Sequence, residues 1–281
     1  MRRTEYLINE LRKSTDNTNA NGVKDAEIVS YLNYGQKLLQ NIIFKTNPKS
    51  DIFIKNAEYS YNAEGTYDLP ADIFAENAIA AVEYKQGDRY YKIDRIDRIE
   101  LSSGYYVENK KLKIEGYKFF DIRVTVFREL PKMDKRWGRI GTVSSGVSLT
   151  LTGIDTDAST VDDHVTVVDK FGAQVLPGIY VDNYNGSIWE TTNLLAGVTI
   201  DQFVCMGKNT VNASELPDAC ETYLLDYVRQ RIYTRNNYDD AGKQVYFTDS
   251  QRADIADLFK NNQKDVMFPP ITDYDAMDFD V

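Results

Sequence analysis

The feature that most restricts how this chain can fold is a change of hydrophobic period in its middle, followed by a change back. Residues 141–211 are rich in Thr, Val, Gly and Asp, poor in Lys and Arg, and hold the strand candidates VSLTLTG, HVTVVD, GIYVDN, GSIWETT and VTIDQFVCM. Turn signals recur between them at roughly 8–12-residue intervals, the spacing of a small sandwich or barrel. Helical period returns at 218–235, where Cys220, Tyr223, Leu224, Tyr227, Val228, Arg231 and Ile232 follow an i, i+3, i+4, i+7 pattern. A β stretch with helical sequence on both sides reads as a module inserted into a helix-containing core.

The flanks support that reading. Residues 4–12 and 25–44 have helical period, and Ile28, Tyr31, Leu32, Gly35, Leu38, Leu39, Ile42 and Ile43 share one face of the second segment. Asp25 is placed to cap that helix, after the polar loop STDNTNANG. From residue 51 the period becomes two, with Ala57, Tyr59 and Tyr61 alternating with polar residues. Strand candidates follow at 78–84 and 89–93 and in YYVEN, KLKIE and DIRVTVFREL, while the spacing of Ile93, Ile96, Ile99 and Leu101 predicts a short helix. A last helix is expected over 248–261, capped by Thr248 or Asp249. The expected fold class is α+β: a helical bundle with antiparallel strands (1–140 and 212–262), an inserted all-β sandwich or barrel (141–211), and an extended acidic C-terminal arm (263–281).

Composition narrows the function classes. With 43 acidic and 33 basic residues the formal net charge is −10, a poor basis for gripping phosphate backbones, where Lys and Arg must displace counterions. No apolar run is long enough for a transmembrane helix. The opening MRRTEYLINELRKS lacks the apolar region of a secretory signal. Cys205 and Cys220 form neither a CxxC pair nor a disulfide framework, so a reducing cytoplasm is the expected place of folding.

Catalytic chemistry finds little to stand on. His164, the single histidine, sits at a strand start beside Asp162 and Asp163, without the elbow motif of a nucleophile, and reads as a strand-edge or packing residue. Neither cysteine has a basic neighbourhood to lower its pKa. Asp155 and Asp157 open like a calcium loop but lack its glycine and closing glutamate. No catalytic, cofactor-binding or metal-binding residue is assigned, and no enzyme is expected. Lys132, Lys135, Arg136 and Arg139 around Trp137 read as a charged hinge into the β module or a subunit contact ahead of a nucleic-acid contact. Trp189 and the Tyr-containing stretch 180–184 could stack on sugars or fill a core.

The order of the parts is more informative than any one of them. DAEIVSYLNYGQKLL is followed by a strand exit GTYDLPADIF, by strands ending in VFRELP, and then by LPDACETYLLDYVRQRIYTRNN. This order resembles the head-to-tail connector (adaptor, or tail-tubular) proteins of short-tailed double-stranded DNA bacteriophages, over 1–140 and 212–260. The 141–211 module departs from the smaller members of that family.

The resemblance implies a virion protein, made in the host cytoplasm and placed at the head–tail junction. It implies a dodecameric ring beneath the portal that continues the DNA channel and presents a platform for a second ring or tail protein, with DNA passing through unbound in any sequence-specific way. It also implies that subunits pack through the helices, with Tyr31, Leu32, Leu38, Leu39, Tyr223, Leu224, Tyr227 and Arg231 as the packing residues. The C-terminal arm would dock on the portal through Phe268, Pro269, Pro270, Ile271, Tyr274, Met277 and Phe279. No cofactor and no membrane enter this picture. Two other readings stand beside it: a carbohydrate- or receptor-binding module of a phage tail or surface protein, and a hydrolase with an unrecognised site.

Overall fold

The computed structural model describes residues 2–15, 22–47, 50–70, 72–75, 78–97, 102–117, 119–144, 146–154, 163–185, 188–191, 195–236 and 245–260. Two helices open the chain, α1 (Thr4–Ser14) and α2 (Asp25–Thr46). A 3-10 turn leads into β1 (Ile54–Tyr59), β2 (Thr66–Asp68), β3 (Ile79–Gln86), β4 (Arg89–Lys92), β5 (Gly104–Glu108), β6 (Lys111–Glu115) and β7 (Ile122–Phe127). After β8 (Lys132–Met133) come β9 (Gly138–Ser144), β10 (Ser148–Thr152), β11 (His164–Val168), β12 (Gln174–Asn185), β13 (Ile188–Thr191) and β14 (Phe203–Met206). The chain then runs through β15 (Thr210–Val211) and a 3-10 turn into α3 (Glu221–Asn236) and α4 (Asp249–Lys260).

This architecture corrects the expected fold class. Among the described residues strand outweighs helix, 37% against 31%, and the centre of the molecule is not a helical bundle carrying a few strands. Three separate hydrophobic clusters form, and only one of them is built around the helices. The physical reason is that the strands bury their own apolar faces. Val82, Leu112, Ile114, Ile122, Val124 and Val126 pack together where β3, β6 and β7 meet, so these strands need no helix to cover them.

Two sheets make that second cluster, ordered β1-β7-β3-β4 and β2-β6-β5. On the outer face of the first sheet, Glu58, Arg123, Glu83 and Lys92 stand opposite one another strand by strand. Alternating charges in directly opposed positions hold the register, and Arg123 donates to Glu83 at 2.8 Å. The short helix expected from Ile93, Ile96, Ile99 and Leu101 does not form over 93–97. Ile93 N–H donates to Val82, Tyr105 N–H to Asp94, and Ile96 N–H to Tyr105, so these backbone bonds are not helical, while Ile93 and Ile96 are both buried. Residues 98–101 lie outside the described residues.

The third cluster is the interior of a closed six-stranded barrel, ordered β10-β13-β12-β11-β14-β9. Leu149, Val165, Val167, Ile179, Trp189 and Val204 fill it, so it is a packed core rather than a channel. β12 bends midway. The pairing with β11 slips between Val165 and Val167, opposite Pro177 and Gly178, where a proline without a donor and a glycine at φ +68° are accommodated.

Of α1, α2 and α4, only α4 starts on a side-chain cap. Thr248 and Gln251 form a reciprocal capping box at the start of α4, the Gln251 N–H reaching the Thr248 hydroxyl at 3.2 Å and the Thr248 N–H reaching Gln251 Oε1 at 3.0 Å. Asp25 does not cap α2. The cap position is Lys24, without a side-chain hydrogen bond, and Asp25 lies in the first turn where its carboxylate is engaged elsewhere. No helix among the described residues is long and apolar enough to cross a membrane.

Candidate functional site

α2 and α3 run antiparallel, and their seam is built residue against residue. Arg235 pairs with Glu27 at 2.7 Å, and one turn along, the Arg231 guanidinium lies 5.2 Å from the centre of the Tyr31 ring. The Tyr31 hydroxyl donates to Glu27 at 2.6 Å. Burial and that carboxylate push the Tyr31 phenol up to about 12. Farther along, Tyr34 stacks on Tyr227 with ring centres 6.1 Å apart, and Gly35 lets Leu224 and Tyr227 settle against the α2 backbone. α1 and the segment ahead of it join this layer, Arg2 pairing with Glu221 at 3.3 Å and Arg229 donating to the Ser14 hydroxyl at 3.0 Å.

The helix residues expected at bundle or subunit packing positions fall into two groups within the chain. Leu32, Leu39, Leu224 and Tyr227 are buried within the chain itself. Tyr31, Leu38 and Tyr223 are half-buried against the same cluster, and Arg231 is half-exposed over Tyr31. The residues that present large surface are others: Tyr6, Tyr34, Tyr233 and Tyr246, each more than two-fifths exposed around the helical layer. Such half-apolar, half-polar rings suit a contact surface. The sequence signalled them only through its twenty tyrosines.

A buried polar knot joins this layer to the barrel. The Asn33 side chain pairs with both backbone groups of Met133, at 2.7 and 2.9 Å, and Gln36 donates to the Pro131 carbonyl at 2.8 Å. On the return crossing, the Asn212 side-chain amide donates to Glu5 at 2.9 Å and to the Asp134 carbonyl at 3.0 Å, while the Asn212 main-chain carbonyl accepts from the Thr4 N–H and hydroxyl. Ser214 donates to Gln36 at 2.6 Å. β8 and β15 pair in parallel between these contacts. Beside the knot opens a cleft of about 740 Å³, lined in part by Asn33, Asp72, Lys132, Asp134, Lys208 and Thr210.

The basic group around Trp137 belongs to this junction. Lys135 pairs with Asp25 at 2.6 Å. Arg136 lies 3.9 Å over the Phe203 ring and donates to the Lys170 carbonyl, and Arg139 pairs with Asp201. Trp137 itself is buried. Burial pushes the Asp25 carboxyl up, but the hydrogen bonds and charges of Lys135 and Arg12 outweigh it and hold the carboxyl below its ordinary value. Lys135 thus ties the barrel entrance to α2, while the Arg136 and Arg139 side chains engage residues of the barrel module itself. Lys132 lines the cleft.

The groups considered for catalysis do not converge. His164 begins β11 with its ring edge-on to Tyr180, the centres 5.2 Å apart. Cys205 and Cys220 are fully buried; burial pushes the Cys220 thiol up to about 12 and the Cys205 thiol well above its ordinary value, so both are kept from the reactive thiolate form. Trp189 is 2% exposed and fills the barrel, which removes it from any sugar-stacking surface. Among the described residues no group of three or more His, Cys, Asp or Glu gathers as a metal site. Asp155 and Asp157 lie outside the described residues, as do the arm residues Phe268, Pro269, Pro270, Ile271, Tyr274, Met277 and Phe279.

No family model matches this chain, and no curated protein matches it.

Proposed function

We propose that the chain is the subunit of a ring that joins head to tail in a short-tailed double-stranded DNA phage, a structural rather than catalytic protein. The single observation that carries this reading is the seam between α2 and α3. The DAEIVSYLNYG and ETYLLDYVRQRIY segments, whose order along the chain resembles the connector family, are brought face to face through Gly35, Leu224 and Tyr227. In this reading the subunits form a dodecamer beneath the portal, with the exposed tyrosines of the helical layer at subunit contacts. Heterologous ring contacts join two different faces of one chain, and half-polar aromatic rims suit them.

The net charge of −10 fits a channel wall that lets DNA pass without holding it. Because the barrel interior is filled, the channel in this reading belongs to the ring and not to any one subunit. The arm residues from Phe268 to Phe279 contact the portal, and the platform below receives the next tail component. The sugar-binding alternative relied on Trp189 and the 180–184 stretch; Trp189 is buried, which leaves it the exposed Tyr180 without the tryptophan platform.

Electron microscopy of the chain mixed with purified portal tests the reading. A ring stacked on the portal is expected, and removal of residues 266–281 is expected to weaken its attachment. A chain that never associates with the portal overturns it.

A further inference from the structure

A groove of about 400 Å³ runs between the C-terminal half of α2 and the approach to α4. Leu38, Ile42, Tyr246 and Phe247 supply its apolar lining, and its charged residues are Lys45 and Arg252, both cationic and both exposed. Among the described residues no carboxylate lines it. Among the described residues Lys45 has no ion pair, and Arg252 has only the fully exposed Asp249, 3.9 Å away. An apolar trough with two under-used cations on a chain of net charge −10 calls for an apolar, acidic occupant.

The chain carries one such segment. Val266, Met267, Phe268, Pro269, Pro270 and Ile271 form an apolar run, followed by Asp273 and Asp275, with no cation after Lys264. α4 ends at Lys260, eight residues past Arg252, or about 12 Å along the helix axis. Residues 261–267 extended reach about 23 Å, enough to bring Phe268 back to the groove. Two consecutive prolines have fixed φ and lose little freedom on docking, and extended Pro-rich segments commonly seat in aromatic-lined grooves. We propose that this groove holds the chain's own segment Val266–Ile271, with Asp273 and Asp275 set against Lys45 and Arg252. The groove and the charges stand independently of the connector reading. A partner that takes up Phe268 must first displace it from this seat.

Disulfide trapping in the full-length chain tests the docking. Asn41 is exposed on the groove wall, and both native cysteines are buried. A chain carrying Asn41→Cys and Thr272→Cys is oxidised beside a control carrying Asp88→Cys, in the β3–β4 turn, and Thr272→Cys. Circular dichroism of the reduced variants establishes that each is folded. Docking raises the local concentration of the two thiols, so the groove pair should close within one chain about tenfold faster than the control. Adding Lys45→Glu and Arg252→Glu should slow it about fivefold, more at low salt. A groove pair no faster than the control, a rate indifferent to the charge reversal, or a disulfide found only between chains overturns the proposal.

Discussion

Gly35 of α2 touches the ring of Tyr227 on α3, and a methyl group added at Gly35 would lie 2.8 Å from Tyr227 Cδ1 and 2.8 Å from Leu224 Cδ1. Both neighbours are buried, and the Tyr ring is stiff. Gly35→Ala should therefore overpack the seam by about 1–3 kcal/mol, offset by about 1 kcal/mol of better helix propensity. A net loss of up to about 2 kcal/mol in urea unfolding is expected. A stabilised variant would mean that α3 yields freely, contrary to a rigid seam.

The Tyr227 hydroxyl is buried and has no hydrogen-bond partner among the described residues, and burial pushes it up to about 12. Removing an unpaired hydroxyl while keeping the ring should cost nothing and restore up to about 1 kcal/mol. Thermal unfolding of Tyr227→Phe is expected at or above the parent temperature. A clear fall would reveal a partner for that hydroxyl.

Asp25 joins Arg12 of α1 to Lys135 at the barrel entrance. Folding lowers this carboxyl's pKa, so its contribution is complete above the ordinary value of 3.8 and is lost as pH falls through the folded value. Asp25→Asn should cost about 1–3 kcal/mol at neutral pH, because two partly buried cations lose their acceptor. Its stability should also fall less than the parent's between neutral pH and the acid range. Parallel stability curves for parent and variant would contradict the assignment.

Asn33 satisfies both backbone groups of Met133. Asn33→Asp keeps the acceptor but sets a carboxylate oxygen against the Met133 carbonyl. A loss of about 1–3 kcal/mol is expected. Amide exchange near Met133 should quicken with it, since the barrel entrance is held there. Unchanged exchange would place the junction's strength elsewhere.

What the sequence could and could not reveal follows from the range of each interaction. Helices α2, α3 and α4 were legible because periodicity and the Thr248 cap are local. The barrel was legible as a β module, but the Pro177–Gly178 bulge hid the first half of β12, whose pairing with β11 resumes beyond it. The balance between helix and strand is not legible locally, because two sheets that close on each other leave the same alternation as sheets that need helical cover. The junction was invisible for another reason. Asn33 and Met133 are 100 residues apart, and Glu5 and Asn212 are 207 apart, so nothing near either residue announces the other. The exposed tyrosines of the helical layer could be counted but not located.

The proposed function requires this chain to build a ring on a portal. Sedimentation of the purified chain with purified portal, at low and physiological salt, tests it most directly. A single faster-moving complex with one ring of subunits per portal and little free chain is expected. A chain that sediments alone beside an unaltered portal under every salt condition would contradict it.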